Sequence, residues 1–374
     1  MSFLRADLDQ LKAYVSHPGG ATTQQVDILD TNESPYDLPT ELKEKLADHY
    51  VNAIATNRYP DGSQHHLKTL IASYVQQSAR LTASLGTQNV SVGNGSDELI
   101  RSILIATCLG GEGSILVADP TFSMYRILAT TLGIPTITVN RHLSDFSMDL
   151  DAAQQAIAQT KRPPVRVVFV VHPNSPTGQC LTPAEIDWLR SLPEDILVVV
   201  DEAYYEFSQQ TLLAEVLNRP NWLIMRTFSK AFRLAALRVG YAIAQPEVIT
   251  ALEKVRLPYN LPSFSQAAAI LALEHKDYLL ATVPEIQAER EKLFTQLRNV
   301  DKLKLWHSDA NFIHARLQPI RQPQDEKLAQ LVETLKTQGT LIRHTGGGLR
   351  ISVGAVQENQ RTLVRLTKSI ELLS

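Results

Sequence analysis

Cysteine is scarce. The 374-residue chain has two, Cys108 and Cys180, far apart and outside any metal-ligand spacing. That argues against a disulfide-stapled scaffold and a thiolate metal site, and the expected setting is a reducing cytoplasm. No window of 18 apolar residues occurs, so no membrane span is expected. The opening MSFLRADLDQLKAYV has charges where a signal peptide needs an apolar core. Net charge is only −3, with a pI near 6.4, and both signs are mixed along the chain. No basic face for nucleic acid or an anionic membrane is expected. Repeats, low-complexity tracts and a G-x-G-x-x-G fingerprint are all lacking.

What is present is an α/β pattern. Apolar residues make up 44% of the chain, enough for one large core and a second smaller one. Seven short runs read as strands: 89–92, 114–118, 134–139, 165–171, 196–201, 222–227 and 239–244. Several, such as VRVVFVV, lack polar alternation, as expected of strands covered on both faces. Helical stretches between most of them predict a mostly parallel seven-stranded sheet with right-handed crossovers. Ligands in such sheets bind beyond the carboxyl ends of the strands. After P-Y-N-L-P at 258–262, a helical region over 264–298 leads into a smaller α+β unit. Its strands are expected near 302–307, 311–317, 340–343 and 349–353, with a helix over 324–338. The expected division is an N-terminal arm over 1–40 with a helix near 4–15, a large domain over 41–262 and a small domain over 263–374.

Polar residues at strand ends carry the chemistry. WLIM runs without helical spacing, and Thr227, Ser229 and Lys230 follow where that strand should end. Lys230 sits among Phe228, Ala231 and Phe232. Its ammonium either snorkels to water or is held as a reactive amine able to form a Schiff base. V-V-V-D-E-A-Y-Y puts Asp201 at the end of an apolar strand, where a charge is costly unless a partner needs it. A helix cap or a metal ligand is the other reading, and no His/Cys cluster supports a metal. In G-N-G-S-D-E-L-I, Gly93 and Gly95 suit a tight turn, and Ser96 or Asp97 could cap the following helix. The free amides of that first turn make a phosphate site. H-P-N-S-P-T-G over 172–178 is a loop, with His172 read as a polar loop residue. Arg350 alternates within L-R-I-S-V-G, and Arg343 precedes the T-G-G-G turn. A guanidinium fork suits phosphate or carboxylate, although either residue also reads as a solvated edge-strand arginine.

T-F-S-K-A-F-R-L-A-A-L-R-V-G, together with Y-P-D, G-S-D-E, N-S-P-T-G, D-E-A-Y and R-I-S-V-G, resembles the ordered motifs of the fold-type-I pyridoxal-phosphate aminotransferases. Within them the chain is most similar to the histidinol-phosphate aminotransferase family, over nearly its whole length. The resemblance implies the fold-type-I architecture: a large, mostly parallel seven-stranded sheet domain, a smaller α+β domain and an N-terminal arm. It implies pyridoxal 5'-phosphate carried by Lys230, with Asp201 at the ring nitrogen, Asn174 and Tyr204 at the phenolic oxygen, and Tyr125 stacked on the ring. Ser96, Asp97, Glu98, Thr227, Ser229 and Arg238 would hold the phosphate. Tyr59 would reach the same phosphate from the partner subunit, so a homodimer with shared active sites is implied. Tyr14 and Asn32 would face the substrate, and Arg343 and Arg350 would take its acidic group. Ala236 stands where the family commonly has glycine, and Ser34 replaces the second asparagine of N-E-N-P.

The implied reaction moves the amino group of L-histidinol phosphate to 2-oxoglutarate, a step of L-histidine biosynthesis, with small phosphate-ester and oxo-acid substrates. An aromatic amino-acid aminotransferase and a threonine-phosphate decarboxylase are the alternatives on the same fold. A catalytically silent binding protein should have lost Lys230 or Asp201, and both are present.

Overall fold

The computed structural model describes Phe3, Arg5 and residues 26–80, 84–319 and 324–372. The helix expected near 4–15, and Tyr14 with it, lie outside the described residues.

A two-residue strand, β1 (Asp27–Ile28), precedes the main sheet. That sheet is built from β2 (Val90–Asn94), β3 (Ser114–Asp119), β4 (Thr136–Asn140), β5 (Val165–Val171), β6 (Leu197–Asp201), β7 (Trp222–Thr227) and β8 (Val239–Ala244). Their order across the sheet is β2-β8-β7-β6-β5-β3-β4. Strands β3 to β7 run parallel, whereas β8 is antiparallel to both neighbours. The reversal follows from chain length, since the 228–238 link between β7 and β8 is too short for a crossover helix. Every residue of β7 and β8 is buried. Alternate residues feed two apolar layers, with Val168, Val170, Val200 and Ile224 on one face and Val167, Phe169, Val171 and Val199 on the other.

The helix Gly95–Thr107 opens directly from β2. Neither Ser96 nor Asp97 caps it; Asn94 holds the N-cap position without a side-chain cap. The Glu98 carboxylate instead accepts from the Asn94 N–H.

The small sheet has the order β12-β13-β10-β9, from β9 (Leu303–Leu305), β10 (Phe312–Leu317), β12 (Arg343–Thr345) and β13 (Gly348–Ser352). The single strand expected at 340–343 is two elements. Its first part, β11 (Thr340–Leu341), pairs in parallel with β1, and only the second joins the small sheet. Asp27 of β1 is held by Arg361 and Arg365 from a C-terminal helix, Val356–Glu371, that the sequence patterning does not pick out. The long helical region is broken into Ser263–Glu274, Lys276–Leu280 and Val283–Leu297. No helix among the described residues is long and apolar enough to cross a membrane.

Candidate active site

A cavity of about 300 Å³ opens where β5, β6 and β7 end. Val171, Asp201 and Thr227, the last residues of those strands, form part of its wall, with Phe122 following β3. Arg343 and Arg350 of the small sheet complete it.

Lys230 reaches this cavity from the β7–β8 link, and its Nζ donates to the Thr31 carbonyl at 2.7 Å. Burial, with Arg350 adding repulsion, lowers its pKa to about 8, while Glu33 on the cavity wall opposes the shift. Asp201 is buried at the end of β6. Its carboxylate accepts from the Tyr125 hydroxyl at 2.7 Å and from the Ala203 N–H at 3.1 Å. Burial outweighs both bonds and pushes its pKa up to about 6.

One end of the cavity is built for a compact anion. Ser96, Asp97, Thr227, Ser229 and Arg238 all line it. Thr227 Oγ1 donates to Ser229 Oγ at 2.9 Å, and Arg238 reaches Ser229 Oγ at 3.4 Å and Asp97 Oδ2 at 3.2 Å. Glycine is required beneath the arginine: Gly95 has φ +73°, and a Cβ there would lie 2.4 Å from Arg238 Nη2. A Cβ on Gly240 would lie 2.7 Å from the Ser96 nitrogen, so β8 runs flush against the turn. The N-terminus of Gly95–Thr107 thus faces a guanidinium and two hydroxyls.

The aminotransferase class I and II family profile spans residues 25–366 of the chain. The chain belongs to the class I and II aminotransferases. It is 59% identical over 371 residues to a histidinol-phosphate aminotransferase of Trichodesmium erythraeum (strain IMS101), covering 98% of each protein. It is 58% identical to histidinol-phosphate aminotransferase 2 of Nostoc sp. (strain PCC 7120), covering 97% of this chain and 96% of that one. In fold it matches the Sinorhizobium meliloti histidinol-phosphate aminotransferase solved in complex with pyridoxal-5'-phosphate, with a TM-score of 0.80 and 23% identity over 94% of this chain and 93% of that one.

Within this aminotransferase fold, several expected residues sit elsewhere. Tyr125 is wholly buried, stacks on Phe169 at 4.6 Å and does not line the cavity. It falls in the first turn of the helix Met124–Thr131 and packs back onto the sheet, whereas Phe122, just before that helix, lines the cavity. Asn174 also stays outside the lining. Its amide donates to the Pro120 carbonyl at 3.0 Å and Thr177 Oγ1 at 2.7 Å, which leaves it tying the loop together. The next residue, Ser175, lines the cavity instead. Asn32 borders the cavity, yet its amide is committed on both sides: Oδ1 accepts from Ser352 and Nδ2 donates to Tyr204. Glu98 is outside the lining, its carboxylate taken by Asn94 and Asn260. His172 is buried, and its Nδ1 accepts from the Leu181 N–H at 2.9 Å. Tyr59 is 81% exposed, stacked on Tyr259 and away from this chain's own cavity. Ala236 is exposed on the short turn Ala235–Leu237.

Phe122, Ser175, Thr31 and Glu33 are cavity residues that the motifs do not single out. All four lie within three residues of an expected residue, so each motif lies at the cavity while neighbouring positions also line it.

Proposed function

We propose that this chain transfers the amino group of L-histidinol phosphate to 2-oxoglutarate, with pyridoxal 5'-phosphate as cofactor. The observation that carries the reading is the meeting of Lys230, Asp201 and the Arg343–Arg350 pair in one cavity. The near full-length likeness to histidinol-phosphate aminotransferases supports the choice of substrate.

The residues fit the cofactor. Asp201 is a buried carboxylate with only neutral donors on it, and a protonated ring nitrogen would supply the missing cation. The glycine-floored turn under Arg238, with Ser96, Thr227 and Ser229, would hold the phosphate. Phe122 would cover a ring face, and Tyr204 would meet the phenolic oxygen. When bound, the cofactor supplies an electron sink for bond breaking at the carbon bearing the amino group.

The chain's own groups do the rest. With its pKa lowered to about 8, Lys230 keeps an appreciable neutral fraction near neutral pH, as a nucleophile and base needs. Its Nζ would take the proton from the substrate's amine-bearing carbon, leaving the bonding pair on the substrate side, and as the ammonium would give that proton back later in the cycle. Asp201, once ion-paired, stays a carboxylate through the cycle. Arg350 holds the phosphate of one substrate and the carboxylate of the other, since both anions present similar oxygen pairs to a guanidinium, and Arg343 adds a second cation beside the phosphate. Residues 1–40 serve as the arm, 41–262 as the cofactor-binding unit and 263–374 as the unit that delivers the arginines.

We also read Tyr59 as completing the site of a second copy, in a homodimer. Its exposure and its distance from its own cavity support this.

A comparison of kcat/KM for histidinol phosphate, phenylalanine, tyrosine and threonine phosphate, with product identification, tests the function. Histidinol phosphate should lead. A preference for phenylalanine, or carbon dioxide release from threonine phosphate, would overturn the assignment.

A further inference from the structure

A second groove, of about 790 Å³, adjoins the active cavity, and Thr121, Phe122 and Ser123 line both. Gly346 and Gly347, at the tip of the turn between β12 and β13, form another part of its wall. Three guanidiniums face this groove: Arg126, Arg141 and Arg316. Two of them are neutralised. Arg126 pairs with Asp119, and buried Arg141 is held by Glu185 at 3.4 Å and by the carbonyls of Ala118 and Phe146.

Arg316 is left over. Its Nη2 donates to the Gly346 carbonyl at 2.6 Å, and its Nε is buried without an acceptor. The guanidinium lies 5.1 Å from the Phe146 ring centroid and 5.9 Å from that of Trp306. Those ring faces supply only part of what a counter-ion would. No carboxylate among the described residues pairs with it, and burial alone lowers its pKa.

The neighbours add to the imbalance. Lys304 stands opposite Arg316 in the β9–β10 register, where like charges repel. Its Nζ sits 4.8 Å from the same Trp306 ring. His314, two residues before Arg316 on one face of β10, is paired in register with Arg350. Both its ring nitrogens are buried without a partner. Burial, with Arg316 and Arg350 adding repulsion, pushes its pKa down to about 3, so the ring is neutral. A carboxylate here would neutralise Arg316, and the chain has an uncharged ring instead.

We propose that the groove at Arg316 is a second anion site, which takes a phosphate group on the N–H donors that Gly346 leaves unused. A planar guanidinium fork matches the paired oxygens of a phosphate. A doubly charged anion also suits an arginine with a lysine beside it. Val117, Ile127 and Leu143 offer apolar wall to whatever body the phosphate carries. The free ion and a phosphate monoester share this chemistry.

The test is a calorimetric titration of inorganic phosphate into protein saturated with pyridoxal 5'-phosphate. An Arg343→Ala, Arg350→Ala background removes the guanidiniums that complete the active cavity. One equivalent of phosphate should still bind. Adding Arg316→Gln should weaken that binding by about tenfold or more, the scale of a lost hydrogen bond to a charged group. Leu143→Glu changes an exposed position that lines this groove and not the active cavity. It should weaken binding about fivefold by repulsion, and it carries the comparison if the glutamine variant does not fold. Phenyl phosphate separates the sources: tighter binding than inorganic phosphate assigns the site to a monoester, and equal or weaker binding assigns it to the free ion. Absence of phosphate binding in the Arg343→Ala, Arg350→Ala background would overturn the proposal. So would binding unchanged in a folded Arg316→Gln protein, or in Leu143→Glu where only that variant folds.

Discussion

Arg343 and Arg350 stand directly opposite each other in the antiparallel register of β12 and β13. Opposed residues project from the same face of a sheet, and here both side chains reach one cavity. Like charges in that position repel. The arrangement makes sense when an anion spends its bound time between them.

Removal of either arginine should therefore cost binding more than stability. Arg350→Ala is expected to weaken both half-reactions, by about a hundredfold in kcat/KM, the scale of a lost charge-assisted pair. Arg343→Ala should weaken the histidinol-phosphate half-reaction and spare that of glutamate. Single-turnover measurements of each half-reaction separate the two. Equal loss in both halves from Arg343→Ala would remove the division of labour.

Lys230 offers a pH test in the cofactor-free protein. Its pKa falls from 10.5 to about 8 on folding. Below pH 8 the amine is charged in both states, so the fold bears the full penalty of holding that charge; between 8 and 10.5 the penalty fades. Lys230→Met should therefore stabilise the cofactor-free protein at pH 7 by on the order of 2 kcal/mol, allowing for the lost bond to Thr31. The gain should vanish by pH 10.5 or so. Denaturant titrations at several pH values check this. The rate of covalent cofactor capture by the wild type should climb about tenfold per pH unit and level off near pH 8. Levelling by pH 7 would show that the amine is not shifted as stated.

Much of this is legible in the sequence alone. The bounds expected for β5, β7 and β8 match those observed, because short, largely apolar runs without helical spacing leave little choice of element. Lys230 and Asp201 stand out as charges at the ends of apolar strands, where burial makes them expensive. What the sequence leaves ambiguous is direction. Phe122 and Tyr125 are three residues apart in one motif, and Asn174 and Ser175 adjoin. Which member faces the cavity depends on where the helix Met124–Thr131 begins and how the 172–178 loop closes. The split of 340–345 into β11 and β12 is equally hidden, since β11 pairs with β1, far away in the chain. The helix Val356–Glu371 carries too many polar residues for its apolar stripe to announce itself, although Leu366 and Ile370 are buried at i and i+4.

The turn between the arginine strands is a second point of control. Gly346 and Gly347 have φ of +62° and +69°, the conformation of a two-residue hairpin turn whose flanking pair is Thr345 and Gly348. A Cβ on Gly346 would lie 2.7 Å from Pro176 Cγ and 3.0 Å from Pro120 Cβ. One on Gly347 would meet the flexible end of Arg316 at 3.3 Å. Both alanine substitutions should cost about 1–2 kcal/mol for the backbone. Only Gly346→Ala should also push the hairpin, and the arginines behind it, off the two prolines. KM for both substrates should rise about tenfold in Gly346→Ala and within about twofold in Gly347→Ala, at similar loss of stability. Matching KM values would show that the docking of this turn does not set the arginines.

The proposed shared site can be tested through the stacked pair Tyr59 and Tyr259, whose ring centroids lie 4.6 Å apart on an exposed surface. Suppose Tyr59 serves the cofactor phosphate of a second copy. A Tyr59→Phe homodimer then loses one hydroxyl from each site and should bind cofactor about tenfold more weakly, the scale of a hydrogen bond to a charged group. A Lys230→Ala homodimer forms no covalent link at all. Mixing the two variants and allowing the subunits to exchange creates hybrids. In each hybrid one site combines Lys230 of the first chain with Tyr59 of the second, and is native in both residues; the other site lacks both. Titration of the mixture with pyridoxal 5'-phosphate, followed by the cofactor band, should therefore reveal a population of sites with wild-type affinity that neither parent contains. If Tyr59 instead serves its own chain, every site that keeps Lys230 also carries phenylalanine at 59, and mixing creates no tight site. Mass measurement of differently tagged subunits confirms exchange. Confirmed exchange without the tight population would place Tyr59 outside the partner's site.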